Sequence, residues 1–142
     1  MINSRKLEDL HPKVKAMAEE LLRRCDEEGI DLLVTSTYRD HEAQNELYAQ
    51  GRTKPGKIVT KAKGGQSWHN WRVAFDIVPL RNGKPVWTTT GPDGEVWKKV
   101  GAIGVSIGLE WAGNWKTFQE YPHFQFTGGL TLADFRDGKT LP

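Results

Sequence analysis

Apolar and polar positions alternate along this chain in two periods, and the change of period marks the elements. Val14, Met17, Ala18, Leu21, Leu22 and Cys25 recur at helical spacing with charges between them, which predicts an amphipathic helix. Gly29 is its natural stop, since a helix often ends on a left-handed residue. Ile30 to Thr37 is apolar and β-branched and reads as a strand. Asp40 is placed to cap a second helix from His41 to about Gln50, closed by Gly51. Ala74 to Leu80 reads as a central strand, and Asn82-Gly83 as a hairpin turn into a strand from Pro85 to Trp87. A third helix is predicted over Glu95 to Ile107, with Val96, Val100, Ile103 and Ile107 on one face and Gly108 after it. Leu109 to Trp111 and His123 to Phe126 are short strands. Thr131 and Asp134 form a capping box for a last short helix. This order predicts an α+β domain with helices around a small, mostly antiparallel sheet. Its 142 residues form one domain, with no repeat or linker.

Between Gly51 and Trp68 the periodicity disappears. The stretch carries Arg52, Lys54, Lys57, Lys61 and Lys63, no acid, and the breakers Pro55, Gly56, Gly64 and Gly65. A connection this long inside a compact domain is functional or disordered. Because it runs straight into Ser67-Trp68-His69, an ordered rim of a site is expected.

Composition narrows the function classes. The formal charge of +2 is too small to argue for nucleic acid. The single cysteine, Cys25, cannot close an intramolecular disulfide, and its helical spacing predicts a buried packing residue, not a nucleophile. The first residues lack the apolar stretch of a signal peptide, and no run approaches the roughly 20 residues that span a bilayer. Synthesis in the cytosol without membrane insertion is therefore expected. Six tryptophans exceed what so small a core needs, so some are expected along a cleft.

Two short segments concentrate the chemistry. In the first, Asp76 lies inside an apolar strand between Phe75 and Ile77. A carboxylate there costs several kcal/mol unless it is paired or bound to a metal. An arginine, or a cation shared with the nearby His69, would meet that need. In the second, Glu120-Tyr121-Pro122-His123, the proline stiffens the approach to a strand on which His123 and Phe124 face opposite ways. Two imidazoles and a carboxylate are a three-ligand zinc set that leaves a fourth tetrahedral position for water. Glu120 is then the unassigned acid beside it, suited to general-base work. His11 and His41, at helix starts, are expected to be plain surface residues.

These residues also carry a resemblance. Ser67-x-His69-x6-Asp76 followed by Glu120-x-x-His123 resembles the VanY-like zinc peptidases, which share a fold with Hedgehog signalling domains. The stretches Tyr38-Arg39, Gln44-Asn45, Leu47 to Gly56, Lys63 to Ser67 and Trp115-Lys116-x-Phe118 look like the catalytic domains of phage L-alanyl-D-glutamate endopeptidases. The resemblance covers roughly residues 10 to 127. It implies a D-Ala-D-Ala-peptidase-like fold and one zinc ion held by His69, Asp76 and His123. Glu120 is implied as base and Arg39 as the residue that contacts substrate and stabilises developing negative charge. Gln44 and Ser67 match polar positions near the cleft and are expected to bind substrate. The implied activity is hydrolysis of the L-alanyl-D-glutamate bond of peptidoglycan stems by a monomer, reaching the wall with the help of a holin. The alternatives are a D-alanyl-D-alanine carboxypeptidase or dipeptidase using the same machinery, and a non-catalytic wall-binding metal domain. One departure stands out: the family usually has glycine three residues after the first histidine, and here that position is Arg72. If the glycine serves a positive φ or close packing, an arginine should strain the turn; the alternatives are that Arg72 points outward or pairs with a carboxylate.

Overall fold

The computed structural model describes residues 1–142. Helix α1 (Pro12–Glu27) buries Val14, Ala18, Leu21 and Cys25, and Gly29 follows it at φ +75°. Burial pushes the Cys25 thiol up to about 11, so it is a packing residue with little thiolate character. Strand β1 (Asp31–Ser36) leads into α2 (His41–Ala49), whose first turn is closed by Asp40 Oδ1 accepting from Ala43 N at 2.8 Å. Strand β2 (Ala74–Arg81) turns at Asn82-Gly83, both at positive φ as a two-residue hairpin turn requires, into β3 (Lys84–Pro85). Helix α3 (Gly91–Ile107), β4 (Glu110–Trp111), β5 (His123–Gln125) and α4 (Leu132–Arg136) complete the chain. The Thr131–Asp134 capping box closes α4 as expected.

Boundaries of β1, β2 and β4 differ from the sequence reading by one residue, and those of α3, β3 and β5 differ as well. Helix α3 starts at Gly91 instead of Glu95, because its first turn, Gly-Pro-Asp-Gly, contributes no apolar face for a periodicity argument to detect. Strand β3 ends at Pro85, and Trp87 is left 56% exposed. Strand β5 ends at Gln125 instead of Phe126.

The sheet is antiparallel throughout, in the order β1-β2-β5-β4, with β3 pairing β2 on the edge opposite β1, beyond the end of β5. Strand β2 is therefore covered on both edges, and Asp76 sits opposite His123 on one side and Ser36 on the other. A bulge between Val34 and Ser36 produces that second pairing, a device that re-aims side chains beside functional sites. By strand alternation Phe75 points away from Asp76, and it stacks on Phe124 with ring centroids 5.8 Å apart. Beneath that face a cluster of buried apolar residues joins α1, α3 and α4 to the sheet, with Trp97, Phe75 and Leu21 among its fully buried members. Each such side chain contributes about 1.5–3 kcal/mol of burial. Helix α3 approaches closely because it carries glycine where a side chain would collide: a Cβ on Gly101 would meet the Trp111 ring, and one on Gly104 the Phe124 ring. The core thus fixes the one face of the sheet so that Asp76 and His123 can occupy the other.

The stretch from 51 to 66 contains no helix or strand but is fastened by side chains of α2 and of Gln50 just after it. Gln44 Nε2 donates to the Ala62 carbonyl at 2.8 Å, Asn45 Oδ1 accepts from Gly64 N at 2.8 Å, and Gln50 Nε2 donates to the Lys57 carbonyl at 3.0 Å. The ordered rim expected from the sequence is present.

Candidate active site

Ser67 opens the segment that carries His69. Its hydroxyl accepts from His69 N at 3.3 Å, capping a 3-10 turn over Trp68–Trp71. Asn70 locks this turn from the other side: its Oδ1 accepts from Gly65 N and Ser67 N, and its Nδ2 donates to the Arg39 carbonyl at 2.9 Å. Arg39 N in turn donates to the His69 carbonyl. The turn bearing His69 and the chain bearing Arg39 are therefore one hydrogen-bonded unit.

The turn ends on Arg72, at φ +63° and ψ +24°. A left-handed conformation is adopted here without glycine, at a cost of about 1–2 kcal/mol for an L-residue; the side chain neither points free into solvent nor pairs with a carboxylate. The side chain compensates. Its guanidinium lies 3.7 Å from the Tyr38 ring centroid and donates to the Asp9 carbonyl at 2.7 Å, tying the segment before α1 to the site. Arg72→Ala should keep the strain and lose both contacts, whereas Arg72→Gly loses the contacts but relieves the strain. Denaturant unfolding should therefore rank wild type above Gly and Gly above Ala; an alanine variant more stable than glycine would remove backbone strain from this account.

A cleft of about 400 Å³ opens over the sheet face that carries Asp76, and Arg39, Ser67, His69, Asp76, Glu120 and His123 all line it. Trp68 and Trp115 contribute aromatic wall, which accounts for two of the six tryptophans; Trp97 and Trp111 are core. One ligand atom each from His69, Asp76 and His123 lie within 4.8 Å of one another. His69 and His123 are buried, and the Asp76 side chain retains 24% exposure toward the cleft.

The hydrogen bonds behind the two rings decide what they present. His69 Nδ1 lies 2.8 Å from the Thr37 carbonyl, which only accepts, so this nitrogen carries the hydrogen. Nε2 of the neutral ring is then a bare lone pair, and it faces Asp76 Oδ1 at 3.3 Å. Gln125 Oε1 accepts at 2.7 Å from His123 Nε2, and His123 Nδ1 faces the same Asp76 oxygen at 3.0 Å. With these tautomers, assigned from the acceptor behind each ring, three electron-pair donors converge on one point. That arrangement is repulsive unless a cation sits among them, and two imidazoles with a carboxylate are a zinc donor set. The residues fit the metal. Without it, protons must do the same work. Burial alone would raise the Asp76 carboxyl, but the His69 and His123 imidazoles outweigh it and hold Asp76 far below the ordinary carboxylate range. Burial alone would lower His123, and Asp76 outweighs it to raise the imidazole.

Arg39 reaches the cleft from the chain after β1. Its Nη1 donates to Gln44 Oε1 at 2.8 Å and its Nη2 to Ser36 Oγ at 3.2 Å, while its Nε is the one buried side-chain polar atom in the protein without a hydrogen-bond partner. Burial lowers the guanidinium pKa, and the Asp76 and Glu120 carboxylates oppose that shift. Glu120 is exposed at the rim, in the tight turn that precedes β5, where His123 N donates to the Glu120 carbonyl.

Gln44 is the exception among the expected residues. Its side chain is fully buried and lines no part of the cleft. It accepts from Arg39 and donates to Ala62, with Thr60 Oγ1 at 3.4 Å, so the expected contact with substrate gives way to positioning of Arg39 and of the cleft wall. Gln125 and the Thr37 carbonyl were not singled out from the sequence. Gln125 was open to detection, since it lies two residues beyond His123 on the same strand face; a backbone carbonyl carries no sequence signal.

Comparison with known proteins identifies the relatives of the chain. A D-alanyl-D-alanine carboxypeptidase family profile matches residues 60–126. The peptidoglycan L-alanyl-D-glutamate endopeptidase CwlK of Bacillus subtilis (strain 168) is 41% identical over 122 residues, which cover 82% of this chain and 73% of CwlK. The L-alanyl-D-glutamate peptidase of a Listeria phage is 32% identical over 127 residues, covering 89% of this chain but only 40% of the phage protein. In fold, the chain matches the Serratia marcescens L-Ala D-Glu endopeptidase ChiX with a TM-score of 0.63 at 21% identity, over 91% of this chain and 86% of ChiX. The fold and site define a metallopeptidase of the D-Ala-D-Ala-peptidase-like class. The chain belongs to the VanY-like peptidase family, whose members are zinc enzymes.

Proposed function

We propose that residues 1–142 act as one zinc-dependent peptidoglycan endopeptidase domain that hydrolyses the L-alanyl-D-glutamate bond of stem peptides. The observation that carries this reading is the convergence of the His69, Asp76 and His123 donor atoms beside Glu120 and Arg39 in one cleft, in a chain 41% identical to an L-alanyl-D-glutamate endopeptidase. His69, Asp76 and His123 would hold one zinc ion, which when bound supplies Lewis acidity toward a carbonyl and makes water more acidic.

The remaining work falls to side chains of this chain. Glu120 takes a proton from the water that attacks the L-alanine carbonyl carbon. As the carbon–nitrogen bond breaks, Glu120 returns that proton to the departing D-glutamate nitrogen. Its exposed position on the rim suits a group that must meet both water and amine. Arg39 donates to the oxygen on which negative charge develops. A guanidinium stays charged in such a site, and a buried Nε–H without a partner costs about 1–3 kcal/mol until an acceptor arrives. Gln44 and Ser36 hold that guanidinium in place, and Ser67, on the cleft wall, presents a hydroxyl to the substrate.

The substrate places the work at the cell wall. No helix is long and apolar enough to cross a membrane, and release of the enzyme as a monomer past the membrane by a holin accompanies this reading. The test is mass spectrometry of muropeptides digested with and without a chelator. A freed D-glutamyl peptide, lost on chelation, is expected. Release of single D-alanine residues would instead mark a carboxypeptidase, and binding without cleavage by the zinc-loaded protein would mark a wall-binding domain.

A further inference from the structure

Two further clefts diverge from Glu120, and they differ in chemistry. One, about 610 Å³, runs between residues 58–62 and 115–118. Ile58, Val59, Trp115 and Phe118 wall it, and Lys61 is its one cation. The other, about 440 Å³, runs past Thr89, Thr90, Gln119 and Tyr121 and has no cation. Both are continuous with the catalytic cleft: the first shares Val59, Thr60, Ala62, Gln66, Trp115 and Glu120 with it, and the second Asp76 and Glu120.

The first groove carries an unusual exposed apolar surface. Ile58 and Val59 are each 57% exposed and Phe118 69%. Phe118 also holds φ +52°, a strained conformation for a bulky residue of the kind that persists where function requires it. The Lys61 ammonium stands 4.9 Å from the Phe118 ring centroid, at the groove's edge. Other cations of the 52–63 stretch are committed elsewhere. Arg52 lies on the Tyr48 ring and donates to the Tyr48 and Thr60 carbonyls, Lys54 pairs with Glu46, and Lys63 lies over Tyr48. Lys57 lines neither cleft. Lys61 is thus the basic residue of the rim that faces a binding groove.

We propose that the Lys61–Phe118 groove holds the half of the substrate that departs with the amine, a γ-linked D-glutamyl peptide. This assignment rests on the stem-peptide reading above, and charge decides it. Glu120 borders both clefts and does not discriminate between them. Cleavage before D-glutamate divides the substrate unequally: the acyl half is a neutral, hydroxyl-rich glycan ending in L-alanine, and the amine half carries the free carboxylates on an alkyl chain. An alkyl chain suits Ile58, Val59 and Phe118, and a carboxylate suits Lys61. The glycan-bearing half then lies toward Thr89, Thr90 and Gln119, whose side chains offer hydrogen bonds without charge. The carboxylate at Lys61 has two sources, the α-carboxylate of D-glutamate and that of the diamino acid after it.

The test compares wild type with Lys61→Gln and Phe118→Ala on synthetic N-acyl-L-alanyl-γ-D-glutamyl-L-lysine, on the same peptide with the glutamate α-carboxylate amidated, and on one with the lysine carboxylate amidated. Binding of the released peptide γ-D-glutamyl-L-lysine is measured by calorimetry alongside. For a partly exposed ion pair, Lys61→Gln should raise KM and product Kd about fivefold on the fully acidic peptide with kcat little changed. It should have no effect on the peptide that lacks the carboxylate Lys61 meets, which identifies the source. Phe118→Ala should weaken all three peptides alike. Equal losses from Lys61→Gln on all three, or no loss of product affinity, would overturn the assignment. Failure of wild type to cut between alanine and glutamate would instead refute the proposed activity, and product binding still reads the groove in that case.

Discussion

Glu120→Gln should leave zinc bound and lower kcat by about a hundredfold to ten-thousandfold, the range over which a positioned acid–base group contributes. The substitution keeps the side chain's size and removes only its ability to accept and return a proton. Glu120 lies outside the group of convergent donor atoms, so metal content should stay at one equivalent. KM should change little, because glutamine keeps the size and polarity of the side chain that lines the cleft. The check is metal analysis together with steady-state cleavage of a stem peptide. A variant that loses zinc would make Glu120 a ligand, and one that keeps most of its kcat would leave the reaction without an identified base.

The second large effect concerns Asp76. Asp76→Ala should abolish both zinc binding and cleavage, with no rescue by added zinc, whereas chelator-treated wild type should recover when zinc is returned. The reason lies in the shared oxygen: Asp76 Oδ1 faces both imidazoles, so its removal leaves two neutral nitrogens and no negative charge to hold a divalent ion. Thermal unfolding gives a readout apart from activity. A ligand that binds only the folded state stabilises it by about 2.7 kcal/mol when its free concentration is one hundred times Kd. Wild type should therefore gain thermal stability with added zinc and the variant should not. Equal stabilisation of the two proteins would place the metal elsewhere.

Much of this site was legible in the sequence, for reasons that can be stated residue by residue. Asp76 betrayed itself because an acid inside Phe75-Asp-Ile77 has to be compensated, and in the structure it lies against two imidazoles as that cost demands. The ends of α1 and α2 were legible because Gly29 and Asp40 act on the neighbouring backbone. Arg72 was noted for standing where glycine is usual, and it does hold a positive φ. What stayed hidden depends on long-range contacts. Gln44 looks like any polar residue on a short helix until Arg39 and Ala62 arrive from either side to bury it. The Thr37 carbonyl that fixes the His69 tautomer has no side-chain signature. The start of α3 was missed because Gly91 to Gly94 have no apolar face, and their place in the helix is secured by the turns that follow.

The fastening of residues 51–66 to α2 separates the enzyme into a base and an interchangeable border. Gln44 grips Ala62 and Asn45 grips Gly64, inboard of the residues that wall the outer groove. Sequence outboard of those grips, including Ile58, Val59 and Lys61, can vary in charge and bulk while Arg39, His69 and Asp76 stay where they are. A lineage meeting a wall with a differently decorated stem could therefore retune which stems it accepts by rewriting a few border residues, without having to rebuild its metal centre.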